Sequence, residues 1–231
     1  MPESVTNLTA LTAGVAEVIR QAAGEVPSVW LTERLELHRR QPDARAWARD
    51  FSRVSRRMGR RALRPSSADV SRLQLLGLAW PDASFAVGAL ARWLLVTLPA
   101  ETAQRRVWIG AQLNYGDADE QSVLLRSLPF VDHSGELVDL AVEAGRTNAL
   151  DVFAAIACHN PYAARHYTEA QMNQLVMKAV FLGLSLQDIL GLQARKNAEL
   201  ARMARDFAAE RRSAGRSIPE DLGVIADAGG L

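Results

Sequence analysis

The chain has 231 residues, of which 48% are hydrophobic and 23% charged. This is an ordinary globular make-up, long enough to bury ~70% of the unfolded surface without disulfides or metals. Cys158 is the single cysteine, which excludes a disulfide within the chain and points to a reducing compartment. The most apolar stretch, Ser84–Leu98, is shorter than the ~20 residues of a membrane span and contains Arg92. No basic residue precedes Arg20, and no cleavable signal pattern follows. The expectation is one cytoplasmic domain over residues 1–231, loose only at 1–5 and 223–231.

In chain order, the apolar spacing predicts helices near 5–23, 28–40, 43–62, 68–77, 84–97, 101–113 and 118–127, then 135–145, 149–158, 161–166, 169–182, 186–191 and 197–214. No segment alternates apolar and polar residues over strand length, so the fold class is all-α with no sheet. Many short helices joined by brief turns suit a HEAT-like stack of antiparallel helical hairpins better than a bundle of four long helices.

The predicted helix over 43–62 stands out by charge. The whole chain carries 27 basic and 26 acidic residues, a net +1. From Arg39 to Arg64, ten arginines stand against Asp43 and Asp50, a surplus of eight that leaves the remainder of the chain at −7. On a helical wheel Arg45, Arg49, Arg53, Arg56, Arg57, Arg60, Arg61 and Arg64 fall within ~160°, with Trp47, Phe51, Val54 and Met58 outside that arc. A face of this kind either covers an acidic neighbour or binds anionic head groups, phosphates or nucleic acid. Exclusive use of arginine suits two-oxygen recognition of phosphate or carboxylate, although a GC-rich genome produces the same bias.

The second half carries the densest signals. Thr168 and Gln171 form a T-x-x-Q capping box, so a helix starts at Glu169. Its apolar residues cover nearly the whole circumference, which marks a central helix and places Asn173 in an apolar arc. A buried amide without partners costs ~1–3 kcal/mol, so Asn173 either bonds a neighbouring helix end or serves a site. Thr147 or Asn148 caps the helix after Ala149, Asn160 precedes a helix opened by Pro161, Ser185 opens a short one closed by Gly191, and Asn197 caps the last long one. Asn148, His159, Asn160, Arg165, His166, Asn173 and Lys178 are therefore the candidate ligand or partner residues, all but Lys178 expected to converge near Pro161.

The string HNPYAARHYTEAQMNQLVMKAVFLGLSLQDILGL, followed by RKNAELARMARDFAAERRSAGR and preceded by RTNALDVF, resembles the EboA family of bacterial metabolite-traffic proteins. The resemblance covers the second half and fades before about Trp108. It implies a soluble helical protein encoded among genes that prenylate a small molecule and move it toward the periplasm. Its partners would be other pathway proteins, including a membrane prenyltransferase. It implies no catalytic mechanism.

The residues themselves give enzymes little support. His38, His133, His159 and His166 include no pair at the spacing of a helical zinc site. Gly-rich phosphate loops, a nucleophile elbow and Asp-rich diphosphate motifs are all missing from the sequence. The expectation is a non-catalytic accessory protein without cofactor or metal, peripheral at the inner membrane face through its arginine stripe. The alternative is a HEAT-like nucleic-acid-binding protein using that stripe, which the near-zero net charge disfavours.

Overall fold

A computed structural model describes residues 8–58, 64–78, 80, 86–99 and 101–226. Among them are fourteen α-helices and no strand, so the protein is all-α. The chain forms two compact units, Met1–Leu140 and Ala141–Leu231.

The first unit contains α1 (Leu8–Ala23), α2 (Glu25–Arg40), α3 (Ala44–Arg57), α4 (Ser67–Leu75), α5 (Val87–Val96), α6 (Thr102–Tyr115) and α7 (Ala118–Val131). Side-chain caps set several of the starts. Asp43 accepts from the amide of Ala46, Ser66 from Asp69 and Asp117 from Glu120, each satisfying an amide that the first turn leaves open. The centre is α5. Val87, Leu90, Ala91, Trp93, Leu94, Leu95 and Val96 are all buried, and α1, α2, α3 and α7 pack against it. A solenoid repeat touches only its neighbours in sequence. Here α1 packs on α5 and α3 on both α5 and α6, so this unit is a bundle around one apolar helix and not a succession of hairpins. The physical reason is composition: a helix apolar all round needs cover on every side.

Several polar groups inside this unit are paired across helices. Trp47 Nε1 donates to the carbonyl of Leu95 at 3.0 Å, and its ring stacks on Phe51 and tilts against Trp108. Arg92, which in the sequence only interrupts an apolar run, is buried. It donates to the Phe51 carbonyl and the Ser55 hydroxyl and lies 3.5 Å from Glu120, linking α3, α5 and α7. His38 Nε2 sits 3.0 Å from Asp50 Oδ2, also buried, joining α2 to α3. Pro129 lies within α7, which continues to Val131. A proline so close to a helix end removes little of the ladder, and Leu128, Pro129 and Val131 are buried.

The division between units falls in α8 (Val138–Ala144). The second unit continues with α9 (Leu150–Ala157), α10 (Tyr162–His166), α11 (Glu169–Leu182), a 3₁₀ turn at Leu186–Asp188, α12 (Leu192–Arg195), α13 (Ala198–Ser213), a second 3₁₀ turn at Glu220–Leu222 and α14 (Gly223–Ala226). The capping box at Thr168 and Gln171 is complete. Gly183 ends α11 at φ 72°, a left-handed conformation that glycine adopts without steric cost. Both α9 and α13 pack on α11, whose Met172, Leu175, Val176, Ala179 and Val180 are buried.

One side of α11 departs from the expected apolar circumference: Phe181 is 75% exposed. The segment expected as a helix over 186–191 is a 3₁₀ turn, because Ser185 accepts from the Gln187 amide and tightens the bend. Gly223–Ala226 is helical and packs on α13, with Leu222 and Ile225 buried.

Candidate functional site

The side chains singled out in the second half serve three places in the second unit. At the α9–α10 turn, Asn160 is buried. Its Nδ2 donates to the Ala155 carbonyl at 2.8 Å, and its Oδ1 accepts from the Tyr162 amide at 3.0 Å. The one amide therefore finishes α9 and leads into α10, which has Pro161 as its N-cap and starts at Tyr162, one residue later than expected. His159 beside it adopts φ 53°, uncommon for a residue with a Cβ. Its amide donates to the Asp188 carbonyl at 2.7 Å, and its Nε2 lies 3.4 Å from Asp188 Oδ1. The ring of His166 packs on buried Tyr162 at 4.7 Å. Arg165 is exposed.

Asn173 belongs to a second place. It is buried, and it exchanges hydrogen bonds with Asn197 in both directions, at 3.1 and 2.9 Å. Asn197 Oδ1 also accepts from the Leu200 amide, so Asn173 secures the residue that caps α13. The partner is a neighbouring helix end. The third place holds Lys178, whose ammonium donates to the carbonyls of Gly145 and Thr147 at 2.8 and 2.7 Å. It stands 4.7 Å from the centre of the Phe153 ring, a cation–π distance. Burial pushes this amine below the ordinary lysine value. Thr147, not Asn148, bonds the Ala149 amide at 3.1 Å, and Asn148 is exposed.

These residues do not meet at one point. Lys178 sits by Phe153, near the start of α9, whereas Asn160 follows its end. The carbonyl partners of Lys178, Gly145 and Thr147, precede α9, so the eight residues of that helix, ~12 Å long, lie between them and Asn160. Around Pro161 the structure brings together His159, Asn160 and His166, while Asn173 and Lys178 hold other helix ends. Sequence reasoning passed over Arg195, whose guanidinium donates to the carbonyls of Ala164 and Tyr167 and so closes the end of α10. Its only signal is an arginine placed where a following element can reach back to an exposed helix end.

In the first unit, Arg45, Arg49, Arg53, Arg56, Arg57 and Arg64 are exposed, while Arg60 and Arg61 lie outside the described residues. Trp47, Phe51, Val54 and Met58 are buried, as the wheel requires. Among the described residues no group of three or more His, Cys, Asp or Glu is arranged to hold a metal ion, and no helix is long and apolar enough to cross a membrane.

Fold and site together define an all-helical protein whose amide and basic side chains in the second unit mainly secure helix ends. The chain belongs to the EboA family of metabolite-traffic proteins, whose family model matches residues 11–226. The family therefore extends far ahead of Trp108, across nearly the whole chain. No curated protein and no solved structure matches it.

Proposed function

We propose that this protein is a non-catalytic accessory component that holds other proteins of a metabolite-traffic pathway together, the pathway carrying a prenylated small molecule from cytoplasm toward periplasm. Family membership supplies metabolite traffic. The observation that carries the scaffolding reading is the division of labour in the second unit. Asn160, Asn173 and Lys178 bond backbone or cap residues, while large apolar side chains remain outside. Phe181 is 75% exposed and Leu150 47%. Phe181 stands one turn beyond Lys178 on α11, and Lys178 lies over Phe153, one turn beyond Leu150 on α9. The two exposed side chains thus occupy the same end of the α9–α11 pair, beside exposed Asn148. Exposed aromatic and aliphatic anchors with a polar rim suit a protein contact.

The test is Phe181→Asp in cells that depend on the pathway. The variant is expected to accumulate and melt like the parent, yet to lower pathway output and lose co-purification with the pathway's membrane prenyltransferase. Unchanged output and co-purification at normal abundance would sink this reading. So would conversion of the pathway metabolite by the purified protein alone.

A further inference from the structure

The arginine face of α3 has no carboxylate row to match it. Asp43 is occupied as the helix cap, accepting from the Ala46 amide. Asp50 turns inward, 3.0 Å from buried His38. Of the three helices packed on α3, neither α5 nor α6 contains an aspartate or glutamate. The third, α2, has Glu25, Glu33 and Glu36 along an open groove shared with Arg20 of α1, and Glu33 and Glu36 are paired with Arg34 and Arg40. Arg45, Arg49, Arg53 and Arg56 have no ion pair, side-chain hydrogen bond or ring contact among the described residues. Arg57 lies 5.8 Å over the half-buried ring of Trp30. A solvated face settled on an acidic neighbour would show such pairs, and this one shows none.

We propose that the α3 face docks the protein on the surface of an anionic phospholipid bilayer. Arg45 to Arg57 is thirteen residues of helix, ~18 Å, enough to lie over several head groups at once. The opposite side of α3 is the buried Trp47, Phe51, Val54 and Met58. The helix therefore cannot turn its apolar side into the acyl region, and attachment is electrostatic and reversible. Trp30 beside Arg57, with Val26 one turn away on α2 and 81% exposed, gives one edge of the face the amphipathic aromatic character common at membrane interfaces. A nucleic-acid surface fits less well. Trp47 and Trp108 are buried and unavailable for base stacking, and a net charge of +1 lacks the basic excess of such domains.

The experiment is sedimentation of the full-length protein with vesicles of phosphatidylcholine alone, or with phosphatidylglycerol replacing part of it. Binding is expected only to the anionic vesicles, with release at ~0.5 M salt, where screening shortens to a few Å. Each arginine contributes about fivefold to partitioning. Replacing Arg45, Arg49, Arg53 and Arg56 by Gln is therefore expected to lower binding by roughly two orders of magnitude or more, while replacing the same four by Lys retains most of it. These side chains make no ion pair, hydrogen bond or ring contact among the described residues, so both variants are expected to melt like the parent; if the Gln variant fails to fold, Arg53→Glu alone is expected to lower binding at least tenfold.

Equal binding to neutral vesicles, binding to neither, or unchanged binding by the Gln or Glu variant overturns the proposal. So does a duplex oligonucleotide that displaces the protein from vesicles at matched charge, which would make this a nucleic-acid surface. The outcome is independent of the pathway contact at Phe181, since a scaffold working free of lipid would fail here and still respond to Phe181→Asp.

Discussion

Asn173 and Asn197 make a closed exchange in which each amide is donor and acceptor to the other. Asn173→Leu keeps the volume and removes both bonds, while Asn197 keeps the Arg195 carbonyl and the Leu200 amide as partners; two bonds at about 0.5–1.5 kcal/mol each give a loss of ~1–3 kcal/mol. At ~2–4 °C per kcal/mol for a chain of this size, the melting temperature is expected to fall by several degrees. Combined with Asn197→Ala, the effects are expected to be non-additive by ~0.5 kcal/mol or more; strict additivity would mean the pair is not a unit. A second residue-scale expectation concerns acid. The Arg20 guanidinium, then the Gln21 amide, holds the Glu17 carboxyl down to about 2 from 4.5. A lowered carboxyl favours the folded state above 4.5, and that contribution fades as pH falls toward about 2. Carbon chemical shifts of the carboxyl should report a midpoint near 2, moving back toward 4.5 in Arg20→Gln. The pair is exposed, so its effect on stability is small.

At the scale of elements, caps were legible because a cap and its target lie within one turn. Thr168 with Gln171, Asp117 with Glu120 and Asn197 with Leu200 are pairs three residues apart. The partners of Arg92 were not, since Phe51, Ser55 and Glu120 reach it from two other helices. That network sets an expectation for the first unit. Glu120→Leu leaves a buried guanidinium without its carboxylate and is expected to cost ~3–5 kcal/mol, whereas Arg92→Met with Glu120→Leu removes both charges and recovers much of the loss. Denaturant midpoints of the two variants decide it, and a double variant no more stable than the single one would contradict the argument. The same limit explains α5 and α11. Both read as apolar on nearly every side, yet α5 is covered throughout while α11 leaves Phe181 in water. Which side stays open depends on how many helices arrive, and that is not written in either helix.

Across the whole molecule, charge is unevenly placed. The sequence isoelectric point is about 8.0, so a uniform protein would pass through a cation exchanger at that pH. With a surplus of eight between Arg39 and Arg64 and the capping Asp43 as the only exposed carboxylate among the described residues of that stretch, retention at pH 8 is expected, because local potential governs contact more than net charge. The four-Gln variant should elute earlier; identical elution would show that the patch is neutralised in solution.

The sequence by itself determined the all-α class, the caps, the inward and outward sides of α3 and the family of the chain. These rest on periodicity, on interactions within a turn, or on long identifiable strings of residues. Tertiary structure alone decided that the first unit is a bundle around α5 and that Asp50 leaves the arginine face for His38. It also decided that Asn173, Lys178 and Arg195 secure helix ends 24 to 33 positions away. A buried polar side chain announces that it needs a partner, since leaving it unpaired is costly, but many folded arrangements would supply one. Only the packing of distant helices selects which.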